Sequence, residues 1–288
     1  MLRGRRDRWG AAASEVTSYR GFQIRPGRCC NAPELIRVKR RIWERSLWAA
    51  AFECRVCGVP LNSKTLQEVS RIPVCSRCLQ DPEPLNAEFF CVACRTPFVN
   101  RHPLDESGRC ALCRLGLNGF DQVYSYGAYE GTLRALVHLF KFEGVRPLAP
   151  KFGELLALVV PREQRFDAIV PMPLHWRRRW RRGFNQSELL AREIARRWNA
   201  PVVKAIRRKR ATAPQAGLTS AQRRDNVRAA FEPKKRLDGM RVLLVDDVLT
   251  TGATASACAR ALKRAGAAHV SLLALARRDR RSVGEVAA

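Results

Sequence analysis

The stretch Arg241–Gly266, RVLLVDDVLTTGATASACARALKRAG, decides how the rest of the chain is read. Val242, Leu243, Leu244 and Val245 form a short apolar run with β-branched residues, the pattern of a strand buried on both faces of a parallel sheet. Asp246 and Asp247 follow at once. Two carboxylates therefore stand at the carboxyl end of a strand, the edge where open α/β sheets bind ligands. Leu249-Thr250-Thr251-Gly252-Ala253-Thr254 then leads into a helix expected over Ala255–Ala265. Its Cys258, Ala261, Leu262 and Ala265 keep the three-and-four spacing of one helical face, and Gly266 stops it.

Such a segment builds one pocket with two halves. The turn and helix N-terminus offer backbone N–H groups, and with the Thr250, Thr251 and Thr254 hydroxyls they suit a phosphate dianion that Gly252 lets approach closely. The carboxylates suit two sugar hydroxyls, as an acidic residue holds ribose in dinucleotide folds. A ribose 5-phosphate satisfies both halves, with the sugar lying between acids and phosphate. The alternative is a buried strand and an ordinary capped helix with the Asp pair solvated. The coincidence of strand, Asp-Asp and Thr-Thr-Gly-x-Thr argues for the pocket.

At 288 residues the chain has room for a sizeable core and a smaller module. Lys plus Arg number 53 against 26 for Asp plus Glu, a formal charge of +27 that implies an anionic partner, phosphorylated substrate and nucleic acid both fitting. An Arg- and Ala-rich coding style would give the same balance. No apolar run reaches the roughly 18 residues that span a bilayer, and no apolar segment near Met1 resembles a secretory signal, so membrane insertion is not expected.

Eight of the 11 cysteines fall into four C-x2-C pairs, which argues for metal in a reducing cytoplasm. Cys54/Cys57 and Cys75/Cys78 are separated by 17 residues, Cys91/Cys94 and Cys110/Cys113 by 15, both in the range of four-cysteine zinc sites. Two structural zinc ribbons are the reading. Crossed pairing, with inner knuckles sharing one ion and outer knuckles the other, stays open, and so do disulfides. His102 is expected to be solvated.

Residues 1–48 carry twelve basic and four acidic side chains and an isolated Cys29-Cys30 pair, and read as a basic disordered extension. The ribbons occupy 49–118 and an α/β domain 119–288. Within the latter, Phe120–Tyr129 reads as a strand or hairpin, followed by a helix whose Leu133, Leu136, Val137 and Phe140 share a face away from Arg134, His138 and Lys141. Phe166–Val170 is the next strand, then Trp176–Arg182, read as a loop with Arg at five of its seven positions. Such a loop suits a pyrophosphate, through bidentate guanidinium contacts, or a single-stranded nucleic acid, through charge and stacking on Trp176 and Trp180. Pro201–Ile206 and His269–Leu275 read as further strands.

Val242–Thr254 resembles the phosphoribosyl pyrophosphate (PRPP) motif of type I phosphoribosyltransferases. Four further stretches are similar to the ComF (competence protein F) family: Tyr126-Gly-Ala-Tyr129-Glu-Gly131 followed by Leu139-Phe-Lys-Phe142, which resembles the segment joining the ribbons to the transferase domain; P-x-P-L-H at Pro171–His175; R-G-F-N-Q at Arg182–Gln186; and R-x-T-x-P-Q-x-G-L with R-R-x-N between Arg210 and Asn226. The resemblance spans Cys54–Ala276 and implies a double zinc ribbon followed by a phosphoribosyltransferase-type parallel sheet domain. It implies Asp246 and Asp247 at the ribose hydroxyls, Thr250, Thr251, Gly252, Ala253 and Thr254 at the 5-phosphate, and Arg182 with Arg177 at the pyrophosphate. Mg2+ would accompany PRPP, and the segment near Gln215 would close over it. Two functions follow from the resemblance. One is phosphoribosyl transfer in DNA uptake or nucleotide salvage; the other is a non-catalytic adaptor that binds single-stranded DNA and an uptake-machinery protein.

Overall fold

The computed structural model describes residues 53–61, 72–98, 100–115, 119–209 and 230–278. The basic extension, the segment around Gln215 and the last ten residues lie outside them. Residues Ala51–Ala288 form one compact unit.

The unit begins with two cysteine modules built alike. In the first, a knuckle at Cys54–Cys57 precedes the single-turn helix α1 (Ser76–Gln80), capped by Cys75. In the second, β1 (Phe89–Phe90) pairs antiparallel with β2 (Pro97–Phe98) around the Cys91 knuckle, and α2 (Ala111–Arg114) follows Cys110. The same turn closes each knuckle, Gly58 N–H to Cys54 O and Arg95 N–H to Cys91 O at 2.8 Å. That turn needs a left-handed residue, and Arg95, with φ of 54°, stands where the first module has Gly58.

The α/β part comprises β3 (Gln122–Ala128), α3 (Gly131–Phe142), α4 (Ala149–Ala157), β4 (Ala168–Pro171), α5 (Trp176–Arg182), α6 (Gln186–Trp198), β5 (Ile206–Arg208), β6 (Phe231–Pro233), β7 (Arg241–Leu249), α7 (Ala253–Arg264) and β8 (His269–Arg277). The main sheet has the order β3-β8-β7-β4 and is parallel throughout. β7, the strand of the Asp pair, lies inside it. Its Leu243 and Val245 pack on one face with α3, α4 and α6; Val242 and Leu244 pack on the other with α7. Burial on both faces is what the unbroken apolar run requires. β5 and β6 pair antiparallel as a separate two-stranded arm.

Three expectations change. The central strand continues through the acids to Leu249, because Asp246, Val248 and Leu249 keep pairing with β8. Trp176–Arg182 is a helix, not a loop: His175 Nδ1 accepts from Arg177 N–H at its start, and Gly183 closes it at φ 74°. The segment read as a strand at Pro201–Ile206 gives a single parallel bridge, Val202 to Ile169, and the strand proper is Ile206–Arg208.

The two cysteine modules sit on opposite faces of the sheet. Cys54, Cys75 and Cys78 belong to the core on the α3 and α4 face, while Cys91, Cys94 and Cys110 belong to the core on the α7 face. The chain between them runs along the open edge of β3, where Leu85 N–H bonds Tyr126 O and the Tyr126 hydroxyl donates to Pro82 O at 2.6 Å. This passage covers part of an edge strand that would otherwise present unpaired backbone.

Candidate functional site

A cavity of about 370 Å³ opens at the carboxyl ends of β4 and β7. Asp246, Asp247, Thr250, Thr251, Gly252, Thr254 and Arg182 all line it. Ala253 does not; it opens α7, its N–H directed to Thr251 Oγ1 at 3.4 Å. Gly252 holds the N-cap at φ 77°, a conformation open to glycine, and turns the chain from strand into helix.

The acids are held by different partners. Asp246 Oδ1 accepts from Ser187 Oγ at 3.1 Å and from Asp247 N–H at 2.9 Å. Burial, then the neighbouring Asp247, pushes its carboxyl up to about 7, against the pull of Lys141 and those two donors. Asp247 Oδ1 lies 2.9 Å from Lys141 Nζ and accepts from Val248 N–H at 2.7 Å.

The cations come from three elements. Arg178 and Arg182, one helical turn apart on α5, line the cavity; Arg177 does not, and its guanidinium lies 5.2 Å from the Trp176 ring. Helical spacing thus selects Arg178 where Arg177 was expected. Arg182 donates to Gln186 Oε1 at 3.2 Å, lies over Phe142 at 4.9 Å, and carries an Nε–H with no hydrogen-bond partner among the described residues. Burial pushes its guanidinium down, as does Arg178, while Asp247 opposes; the group stays ionised. Arg208 of the β5–β6 arm and Lys141 of α3 complete the set.

Lys141, Arg208 and Ser187 were not singled out from sequence for this site. Lys141 stands off the apolar face of its helix, as the spacing predicts, but where α3 packs is not visible in its own periodicity. Ser187 had a signal: it follows the R-G-F-N-Q motif. The motif's structural work is clear: Asn185 caps α6 by accepting from Ser187 N–H at 3.2 Å and donates to Met172 O at 3.1 Å, while Gln186 donates to Lys141 O at 3.3 Å. His175, buried at 5% exposure, caps α5 and does not line the cavity.

Among the described residues, two groups of four cysteines could each hold a metal ion: Cys54, Cys57, Cys75, Cys78 and Cys91, Cys94, Cys110, Cys113. Pairing is sequential, not crossed. Sulfur separations of 3.7 Å for Cys57–Cys75 and Cys94–Cys110 and 3.6 Å for Cys91–Cys113 match the roughly 3.8 Å edge of a tetrahedron with Zn–S of about 2.3 Å. Cys75 N–H and Cys110 N–H each donate at 3.3 Å to the first sulfur of their cluster. The four-thiolate donor set fits zinc and leaves no position for substrate. His102 is exposed and lies outside the cluster. Arg277, buried at the end of β8, donates to Thr96 Oγ1 at 2.6 Å and to Cys94 O, tying the second cluster to the sheet.

A parallel sheet with an acid pair and a Thr-Gly turn at its carboxyl edge defines a protein of the phosphoribosyltransferase type, and residues 185–286 match the model of the phosphoribosyl transferase domain. The chain is 33% identical over 234 residues to the DNA utilization protein YhgH of Escherichia coli O6:H1, covering 78% of this chain and 96% of that one. It is 33% identical over 178 residues to competence protein F of Haemophilus influenzae (58% of this chain, 78% of that) and 30% over 155 to competence protein ComFC of Bacillus subtilis (52% and 61%). The chain belongs to the ComF family. No described helix is long and apolar enough to cross a membrane.

Proposed function

We propose that the cavity binds PRPP, or a related ribose 5-phosphate compound, with Mg2+. The observation that carries this reading is that one cavity gathers the acid pair, the threonine turn and two α5 arginines. Asp246 and Asp247 accept from the ribose hydroxyls. The 5-phosphate takes Thr250, Thr251, Thr254 and the N–H groups from Gly252 and Ala253 onward. Arg182 and Arg178 meet the pyrophosphate. Oxygen donors from acids, hydroxyls and diphosphate suit a hard cation, and Mg2+ would offset charge on the departing group. In phosphoribosyl transfer to a nitrogen nucleophile, the acid pair stabilises positive charge gathering on the sugar.

The organisation we assign is an extension over 1–48, zinc-binding ribbons over 49–118 and the transferase-type domain over 119–288. The relatives' names, DNA utilization protein and competence protein, support work in DNA uptake or utilisation; our reading adds an uptake-machinery protein as partner and a cytoplasmic setting, and nucleotide salvage is the variant without DNA. Calorimetric titration of the full chain with PRPP and Mg2+ tests the site. Binding is expected, and loss of it in the D246N/D247N double variant. No heat from the wild type sinks the reading. Pyrophosphate release with one of a panel of nucleobases would make the protein a transferase, and binding without release would leave the adaptor.

One observation favours the adaptor: on α5, Trp176 and Trp180 are 64% and 87% exposed among five arginines, the make-up of a stacking platform for single-stranded DNA. W176A/W180A is expected to lose retention of an oligonucleotide several-fold in a gel-shift titration while PRPP binding persists. Equal retention by this variant and wild type removes α5 from the DNA reading.

A further inference from the structure

Lys141 enters the cavity from α3, outside the strand-acid-turn stretch and the R-G-F-N-Q stretch, and its backbone is fixed there. Gln186 donates to Lys141 O at 3.3 Å, and the next residue, Phe142, lies under Arg182 at 4.9 Å. Its ammonium lies 2.9 Å from Asp247 Oδ1, with the two side chains 14% and 11% exposed. Asp247 Oδ1 also takes Val248 N–H, so this oxygen has two donors and the second oxygen is left to the cavity. An ammonium has three N–H donors, of which one serves Asp247. The others border the space that Arg178 and Arg182 also line.

We propose that Lys141 is a positioning residue that bridges the acid pair and the diphosphate of the bound ligand. It sets the Asp247 carboxylate so that the free oxygen meets a ribose hydroxyl, and it cancels the repulsion between that carboxylate and the neighbouring diphosphate. This deepens the PRPP reading and rests on it. An acid pair beside a polyanion is unfavourable without a cation between them, and an ammonium on a flexible four-carbon stem is suited to follow both.

The test is calorimetry of the full chain, at fixed Mg2+, with inorganic pyrophosphate, ribose 5-phosphate and PRPP separately. Lys141→Gln, whose amide N–H keeps a donor for Asp247 while removing the charge, is expected to weaken pyrophosphate and PRPP about 10- to 100-fold, the worth of a charge-assisted contact, and ribose 5-phosphate by no more than about threefold. Lys141→Arg is expected to keep most of the pyrophosphate affinity. A lysine that only supports the fold would lower all three ligands together. Asp247→Asn works from the other side: it releases the ammonium, so pyrophosphate tightens while ribose 5-phosphate weakens. K141Q and D247N are expected to be non-additive for PRPP. Equal losses for pyrophosphate and ribose 5-phosphate in K141Q, or unchanged pyrophosphate affinity in D247N, overturn the bridge while the PRPP reading stands. Wild type that binds none of the three overturns the reading of the site, and the bridge with it.

Discussion

Asp246 accepts two hydrogen bonds and is still pushed up to about 7, because burial and Asp247 outweigh its donors and Lys141. Between its ordinary value and about 7 the folded protein holds a proton that the unfolded chain has released. Stability contributed by this group is therefore greatest at low pH and falls as pH rises through that window. Asp246→Asn is expected to flatten the dependence and raise stability at pH 8 by roughly 1–2 kcal/mol, a value discounted because the carboxylate borders an open cavity. Urea unfolding of both proteins at pH 5 and pH 8 checks it; an unchanged pH slope would show that Asp246 is ionised like an exposed acid. The acid pair was legible in sequence because strand, acids and turn are contiguous. Lys141 and Arg208 reach the same cavity from 105 and 38 residues upstream of Asp246, and no local pattern announces that.

At the scale of elements, α5 departs from the loop that its composition predicts. W-R-R-R-W-R-R offers only Trp176 and Trp180 at i, i+4, too short a stripe to mark a helix by periodicity, but a His175 cap and Gly183 stop bound seven residues that fit two turns. The helical spacing then sends Arg178 and Arg182 to the cavity and leaves both tryptophans exposed. The cysteine modules are legible in sequence to the level of four knuckles, while their pairing is set by the fold. Sequential pairing makes each cluster independent. Cys94→Ser is expected to reduce zinc from two ions per chain to one by metal analysis, with Cys57→Ser doing the same at the first cluster. The double variant Cys57→Ser/Cys75→Ser is expected to keep one ion, because both cysteines serve the first cluster; loss of both ions in it would favour crossed pairing.

For the whole molecule, the second cysteine module and the transferase-type domain share a core. A methyl at Gly119, where the chain enters the α/β part, would lie 2.3 Å from Ser256 O and 2.7 Å from Arg260 Cγ of α7. Backbone cannot move aside cheaply, so Gly119→Ala is expected to cost about 2–3 kcal/mol. Its melting temperature should fall several degrees; an unchanged value would mean that the module is loosely docked. Arg277 links the same module to the end of β8, beside Leu249 on the strand that carries the acids.

By itself the sequence determined the class of fold, the strand-acid-turn-helix unit and the four metal knuckles, because each is a run of neighbours whose chemistry and spacing act locally. Tertiary structure alone decided which knuckles share an ion, that the two modules lie on opposite faces of the sheet, and that Lys141 and Arg208 join the acids. Those outcomes depend on how helices and strands distant in the chain pack around both faces of one sheet, and burial of apolar surface, unlike a motif, has no signature at any single position.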